Sequence, residues 1–139
     1  MNPGPDEIVL RPIGRVRSDF KVKESIPHRG RGLDIRAVVE ILPELGPAAG
    51  EIRPGDQIWV LTWLHQAARD VLRVHPRGDL SRPLTGVFST RSPARPNPIG
   101  LHLVEVIEVS GGRLTVRGLE VLDGTPVLDI KPYRLEMDS

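Results

Sequence analysis

A chain of 139 residues suits one domain, and its formal net charge of +1 gives no global signature of a nucleic-acid-binding protein. The absence of cysteine excludes disulfide frameworks, thiol catalysis and cysteine-ligated metal sites. The first seven residues are acidic and rich in proline, and no apolar run approaches the roughly 20 residues of a membrane span, so we expect a cytoplasmic protein with no membrane partner.

Strands dominate the prediction for the first half of the chain. Apolar and β-branched residues predict strands over residues 8–17, 34–42 and 57–64, and the last of these is a near-continuous apolar run typical of a strand buried on both faces. Residues 53–56 read Arg-Pro-Gly-Asp, which has the proline and glycine positions of a type II turn. The spacing of apolar residues over 64–72 predicts a short helix.

The second half of the chain predicts five further strands. They cover residues 71–74, 84–90, 101–109, 114–121 and 127–130. The third and fourth flank Gly111-Gly112 and form the clearest hairpin, and the last closes the sheet. Many short strands separated by turns predict an antiparallel barrel or sandwich. We expect one domain over residues 7–135, with residues 1–6 and 136–139 frayed.

Two segments next to predicted strands are candidates for a binding site. Residues 86–100 read GVFSTRSPARPNPIG, with three prolines in six residues and two arginines. Such a loop is stiff and loses little entropy when it holds a ligand, although a surface turn explains it as well. His65-Gln66 follows the apolar run that ends at Leu64. This polar pair is either the wall of a site or a hydrogen-bonding cap of the strand.

The third candidate segment covers residues 122–133, LDGTPVLDIKPY. Its two carboxylates, Asp123 and Asp129, suit acid–base hydrolysis, and the alternative is a turn aspartate plus an ion-paired aspartate. The usual nucleotide motifs, G-x-G-x-x-G after a strand and the P-loop, are missing. The four histidines have no metal-ligand spacing, so no metal is expected.

Taken together, these segments resemble the TsaA-like, or TrmO, family. The long motifs that carry the resemblance are Arg91-Ser92-Pro93, residues 95–100 (RPNPIG) and residues 123–133 (DGTPVLDIKPY). Shorter agreements stand in the same order, at Ile13-Gly14, Ser18, His65-Gln66, residues 75–79 and residues 86–88. The resemblance extends from about residue 8 to residue 135, which is nearly the whole chain.

The resemblance implies both a fold and a reaction. Members of the family are built on a small antiparallel β-barrel with short helical or turn insertions, usually as a homodimer. They bind S-adenosylmethionine (SAM) and methylate N6 of N6-threonylcarbamoyladenosine at position 37, in the anticodon loop of tRNA. The expectation is therefore a SAM-dependent tRNA adenine-N6 methyltransferase. The alternatives are a SAM-binding module with a different or no methyl acceptor, and a hydrolase that uses Asp123 and Asp129.

The resemblance also implies site residues. The cofactor-binding positions are His28, Arg29, Gly30, His65, Gln66, Arg91, Leu101, Asp123, Gly124, Thr125 and Pro126. Residues 28–30 depart from the family, which often has a glutamine there. For the substrate, Arg95, Arg77 and Lys131 are predicted phosphate contacts.

Two residues are candidates for the catalytic step. Asn97 precedes Pro98, and unrelated N6-adenine methyltransferases use an Asn-Pro pair to accept a hydrogen bond from the N6 amine. The other reading of Asn97 is that it braces the loop through an Asx turn. Asp129 is a comparable candidate for the acceptor.

Overall fold

Eight strands and a few short helical turns make up the computed structural model, which describes residues 6–21 and 35–138. The strands are β1 (Gly14–Arg17), β2 (Arg36–Ile41), β3 (Gln57–Trp63), β4 (Arg73–Val74), β5 (Thr85–Gly86), β6 (Ile99–Ser110), β7 (Arg113–Arg117) and β8 (Pro126–Pro132). The helical segments are 3₁₀ turns at Pro43–Ala49, Pro76–Gly78 and Val87–Ser89, and one α-helical turn, α1 (Leu135–Asp138). The prediction of a mostly β fold with short helical insertions is confirmed.

Six of the strands form one antiparallel sheet in the order β1-β2-β7-β6-β3-β8. The first and last strands also pair with each other, through Gly14 with Val127 and Arg15 with Pro126, so the sheet closes into a barrel. Because closure leaves no free sheet edge, these backbone groups are paired within the barrel. β4 and β5 pair separately as a small two-stranded ribbon.

Alternate residues of the barrel strands point inward and form the core. The fully buried members include Val16, Val39, Val60, Val104, Val106, Leu114, Val116 and Val127. Each such side chain contributes about 1.5–3 kcal/mol by leaving water. The expectation that the third strand is buried on both faces is wrong. β3 alternates, with Ile58, Val60 and Thr62 buried and its tryptophans only half-buried on the outside.

The predicted helix over residues 64–72 is also wrong: the segment is tied to distant residues, and the Ala68 carbonyl, which a helix would pair with the N–H of Leu72, is bonded elsewhere. The N–H of Leu64 donates to the carbonyl of Pro98 at 2.8 Å, and the carbonyl of Ala68 accepts the N–H of Arg95 at 3.0 Å. The carbonyl of Leu72 accepts the N–H of Val87 at 2.9 Å. The segment is a series of turns that is tied to the proline-rich loop.

Several predicted strands are shorter in the structure than the apolar runs that indicated them. The one predicted over 84–90 is Thr85–Gly86 followed by a 3₁₀ turn, and the one predicted over 114–121 ends at Arg117. Gly118, at φ +99°, turns the chain there. Residues 118–125 thus form a linker between β7 and β8, and this linker borders the site described below.

The turn predictions hold where glycine supplies a positive φ. Gly55 has φ +96°, and the N–H of Asp56 donates to the carbonyl of Arg53 at 3.1 Å, as in a type II turn. Gly111, at φ +61°, begins the two-residue turn of the β6–β7 hairpin, in which Ser110 pairs with Arg113. Both turns fix the register of the strands that they join.

Residues 135–138 form α1, which overlaps the segment 136–139 expected to fray. The carboxylate of Asp138 accepts hydrogen bonds from the Trp59 indole at 3.3 Å and from the backbone N–H of Arg134 at 3.0 Å, which hold this turn against β3. Within the described ranges, the longest helices are far too short and polar to cross a membrane.

Candidate functional site

A cavity of about 670 Å³ opens at the end of the barrel where β3 ends and β6 and β8 begin. Its walls come from His65-Gln66 after β3, the proline-rich loop, the first residues of β6 and the linker before β8. This volume lies within the roughly 300–1,000 Å³ of small-molecule sites. We call it the main cavity.

The proline-rich loop is fixed from within by Arg95. Its guanidinium donates to the carbonyls of Thr90 and Ser92, both at 3.1 Å, and lies 6.0 Å from the ring centroid of Phe88. Both bonds come from Nη1, and together they hold the curve of the loop. Arg95 lines the main cavity but is half-buried, and its Nη1 is already engaged by the loop carbonyls.

A second arginine holds the loop from outside. Arg69 Nε donates to the carbonyl of Pro96 at 2.8 Å, and its Nη2 donates to Asn97 Oδ1 at 3.2 Å. The guanidinium lies 5.0 Å from the ring centroid of Trp63, a cation–π arrangement that fixes its plane. Trp63 at the end of β3 thereby sets the position of Asn97 through Arg69.

Arg91 is free to meet a ligand. It is exposed and lines the main cavity, and no carboxylate of the described ranges lies within ion-pair distance of its guanidinium. An arginine with an unused fork suits a carboxylate or phosphate.

The floor of the main cavity carries a polar pair on neighbouring strands, with Thr62 buried and His102 partly buried. Thr62 Oγ1 and His102 Nε2 are hydrogen-bonded at 2.9 Å. Burial lowers the pKa of His102 to about 4, so its imidazole is neutral near pH 7. Gly100 makes room for the pair, because a Cβ at that position would approach His102 Nε2 to 2.6 Å. The other ring nitrogen of His102 has no protein partner in the described ranges and is not enclosed.

Glu120 supplies a carboxylate to the main cavity. It is the one acidic residue among the described residues that line it. Burial raises the pKa of this carboxyl, and no cation within the described ranges pairs with it. An ionised carboxylate that is partly desolvated and unpaired gains from a positively charged ligand group.

The structure brings seven of the sequence-predicted site residues to the main cavity. They are His65, Gln66, Arg91, Arg95, Asn97, Leu101 and Thr125. Three further positions, Asp123, Gly124 and Pro126, adjoin Thr125 in the chain but do not line the cavity. Asp123 accepts the N–H of Ser18 at 3.0 Å and pairs with Lys21 at 3.0 Å, contacts that lower the pKa of its carboxyl.

Other predicted residues lie elsewhere. Asp129 and Lys131 pair with each other at 3.5 Å on the outside of β8, and Asp129 lines a separate cavity of about 520 Å³. Arg77 is exposed at φ +56° between β4 and β5. Residues 28–30 lie outside the described residues. No group of three potential metal ligands occurs in the described ranges.

Three residues of this region were missed by sequence reasoning: Arg69, His102 and Glu120. His102 is a polar residue at an inward position of β6, two residues after Gly100 and two before Val104. Glu120 stands between the buried Leu119 and Val121. A polar or charged residue among residues that are otherwise small or apolar and buried would have indicated both His102 and Glu120. Arg69 has no comparable signal, because its role depends on a contact between distant segments.

Comparisons with known proteins place this geometry in context. A family model described as the tRNA-methyltransferase O N-terminal domain matches residues 15–139. A "Probable S-adenosyl-L-methionine-binding protein" of Methanothermobacter thermautotrophicus is 52% identical over 133 residues, which cover 96% of this chain and 95% of the relative. An "S-adenosyl-L-methionine-binding protein" of Archaeoglobus fulgidus is 47% identical over 131 residues, 94% of this chain and 93% of that relative.

A solved structure shares the fold. The crystal structure of TrmO from Pseudomonas aeruginosa matches with a TM-score of 0.76 and 35% sequence identity. The match covers 96% of this chain and 58% of the TrmO chain. The present chain therefore spans little more than half of the length of that protein.

Proposed function

The chain belongs to the family of tRNA-methyltransferase O N-terminal domains, and on this premise we propose that it is a SAM-dependent methyltransferase whose acceptor is N6 of N6-threonylcarbamoyladenosine at position 37 of tRNA. The observation that carries the proposal is the convergence of distant motifs on one cavity. His65-Gln66, Arg91, Leu101 and Thr125 are far apart in sequence and line the same space. A tRNA substrate places the reaction in the cytoplasm.

The charges of the main cavity fit the cofactor. SAM carries a carboxylate, an ammonium and a sulfonium, and it supplies an electrophilic methyl group. The unpaired fork of Arg91 suits the carboxylate, through a charge-assisted bond. The unpaired carboxylate of Glu120 suits one of the two cationic groups. Backbone groups near Leu101 and Thr125 remain to bind the adenine edge.

Asn97 is the proposed acceptor of a hydrogen bond from the substrate amine. In the reaction, a bond forms between N6 and the methyl carbon, and the sulfur–carbon bond breaks with its electron pair left on sulfur, which gives S-adenosylhomocysteine. The proton of N6 passes to solvent. Asn97 Oδ1 already accepts one hydrogen bond from Arg69, and an amide oxygen has a second lone pair for the N6–H. Positioning by the fixed loop supplies much of the rate, since transfer requires the reacting atoms in line.

We place a homodimer interface on the outer face of β3 and β6. This apolar face consists of Trp59, Leu61, Trp63, Ile99, Leu101 and Leu103, which pair across the two strands. Its β6 members are 39–49% exposed, an unusual density of large apolar side chains for a free surface. Ile99 and Leu101 also line the main cavity, so a second copy on this face would complete the cavity wall.

Titration calorimetry with SAM tests the cofactor assignment directly. We expect saturable binding by the wild-type protein and at least about tenfold weaker binding by Arg91→Gln, since a hydrogen bond between charged groups contributes about 1.5–3 kcal/mol. Arg134→Gln, on an exposed arginine outside the main cavity, is the matched control and should bind as the wild type does. A wild-type protein that takes up no SAM would overturn the proposal.

A further inference from the structure

The outer face of β1, β2 and β7 is rich in arginine. Of the eight outward-pointing positions on these three strands, five are arginine and one is acidic. We call this set the arginine face: Arg15, Arg17, Arg36, Arg113 and Arg117, with Glu40 among them. The whole chain has a net charge of only +1, so positive charge is concentrated on this half of the barrel.

Glu40 organises this face rather than neutralising it. One of its carboxylate oxygens accepts from Arg17 Nε at 2.6 Å, and the other accepts from Arg113 Nη1 at 2.6 Å. The two arginine side chains remain 56% and 58% exposed. One carboxylate thus holds two guanidinium groups in place, and each retains N–H groups that point to solvent.

A second carboxylate holds another arginine of this face. Glu105 Oε1, on the neighbouring strand β6, accepts from Arg117 Nη1 at 2.9 Å, and the Arg117 side chain remains 39% exposed. Arg36 lies directly opposite Arg117 on the neighbouring strand.

The arginine face lies next to the main cavity. The linker between β7 and β8 separates them: Thr125 and Glu120 face the cavity, whereas Asp123 borders a shallow concavity with Arg17, Lys21 and Arg36. Arg15 Nη1 donates to the carbonyl of Gly124 in the same turn at 3.0 Å. A chain of phosphates on the arginine face could therefore extend past one turn to place a base at the cavity.

We propose that the arginine face binds the phosphodiester backbone of the RNA substrate, while the target base enters the main cavity. The inference rests on the proposed function. It assigns phosphate binding to a contiguous surface. Of the three sequence-predicted contacts, Arg95 lines the main cavity, whereas Arg77 and Lys131 belong to neither the face nor the cavity. Arginine is the natural residue here, since its planar fork matches a phosphate.

The test compares two double variants with the same change in net charge. Arg17→Gln with Arg113→Gln removes the two arginines held by Glu40, and Arg11→Gln with Arg134→Gln removes two exposed arginines elsewhere. Binding of a tRNA transcript is measured across a salt series. Each lost phosphate contact should lower the slope of log affinity against log salt by about 0.7–0.9. We expect the face variant to bind about tenfold more weakly with a reduced slope, and the control to match the wild type.

Controls separate this inference from the proposed function. Both variants are first checked for wild-type SAM binding by calorimetry, and Arg36→Gln, which leaves Glu40 and its two partners intact, repeats the test if the double variant unfolds. If the face variants bind SAM as the wild type does and their tRNA affinity is unchanged, the assignment of phosphate binding to the arginine face is overturned. The proposed function is then not affected. Equal losses in face and control variants also overturn it, because they indicate attraction by net charge. Failure of the wild-type protein to bind SAM would contradict the proposed function instead.

Discussion

At the scale of one residue, the Glu120 carboxylate suits a cationic ligand but lowers the stability of the folded protein. Burial raises the pKa of its carboxyl, so the ionised form costs free energy in the folded protein near pH 7. Glu120→Gln removes that charge while keeping the shape. We expect a higher melting temperature and SAM binding at least about tenfold weaker, since a charged hydrogen bond is lost.

Calorimetry and thermal unfolding at pH 7 check both expectations for Glu120. Glu108→Gln, on the exposed end of β6 and away from the main cavity, is the matched control and should change neither quantity appreciably. Wild-type SAM affinity in Glu120→Gln would show that the carboxylate does not meet the cofactor.

His102 predicts a dependence of stability on pH. Its pKa is lowered from 6.5 to about 4 by burial, so between these values the unfolded chain binds a proton that the native protein does not. The contribution of His102 to the free energy of unfolding has its full value above about pH 6.5. As the pH falls toward 4, the free energy of unfolding decreases by on the order of 3 kcal/mol.

The measurement for His102 is denaturant unfolding of the wild type and His102→Gln at several pH values between 4 and 7. The variant should show a smaller loss of unfolding free energy across that window. Parallel pH curves for the two proteins would mean that the imidazole titrates normally and is not buried as described.

At the scale of elements, the proline-rich loop depends on Arg69. This residue joins the turns after β3 to Pro96 and Asn97 while lying on Trp63. Arg69→Lys keeps the charge but loses the fork, so we expect the loop to loosen and kcat to fall more than SAM affinity, because Asn97 is no longer held for the substrate.

Steady-state kinetics and SAM calorimetry on Arg69→Lys separate these effects. Arg73→Lys, on β4 and bonded through Nη2 to the carbonyl of Leu84 rather than to the proline-rich loop, serves as the control. A change in SAM affinity with kcat preserved would show that Arg69 supports the cofactor rather than Asn97.

The elements that were predicted well are those whose pattern is local. Gly55 and Gly111 define turns through their own backbone conformations, and the inward residues of β2 and β7 alternate clearly. The helix predicted over residues 64–72 failed because bonds to Pro98, Arg95 and Val87 hold this segment against the proline-rich loop as a series of turns. Those partners lie more than ten residues away, so no local pattern could reveal them.

In the candidate site too, residues with a local sequence signal were predicted, and residues that depend on distant contacts were not. Residues inside the long motifs, such as Arg91 and Thr125, line the main cavity together. Asp129 stands in a motif as well, but the register of β8 directs it outward, opposite Leu61. Glu120 and His102 lie outside the motifs, and only the barrel closure shows that they share the cavity.

At the scale of the whole molecule, the apolar face predicts a dimer. Leu103→Glu places a charge on this face at a position that does not line the main cavity. We expect the variant to sediment as a monomer and to bind SAM more weakly, because the second copy no longer walls the cavity beside Leu101.

The control for the dimer is Leu80→Glu, at an 80% exposed leucine outside the apolar face. It should sediment as the wild type does in analytical ultracentrifugation. A wild-type protein that is monomeric at micromolar concentration, or a dimer that persists in Leu103→Glu, would contradict the assigned interface.

The most direct test of the whole account is methyl transfer from radiolabelled SAM to two otherwise identical tRNAs, one with threonylcarbamoylated adenosine at position 37 and one unmodified. We expect label in the modified tRNA, none in the unmodified one, and loss of transfer in Asn97→Ala with SAM binding retained. SAM binding without transfer to either tRNA would contradict it and leave the chain as a SAM-binding module.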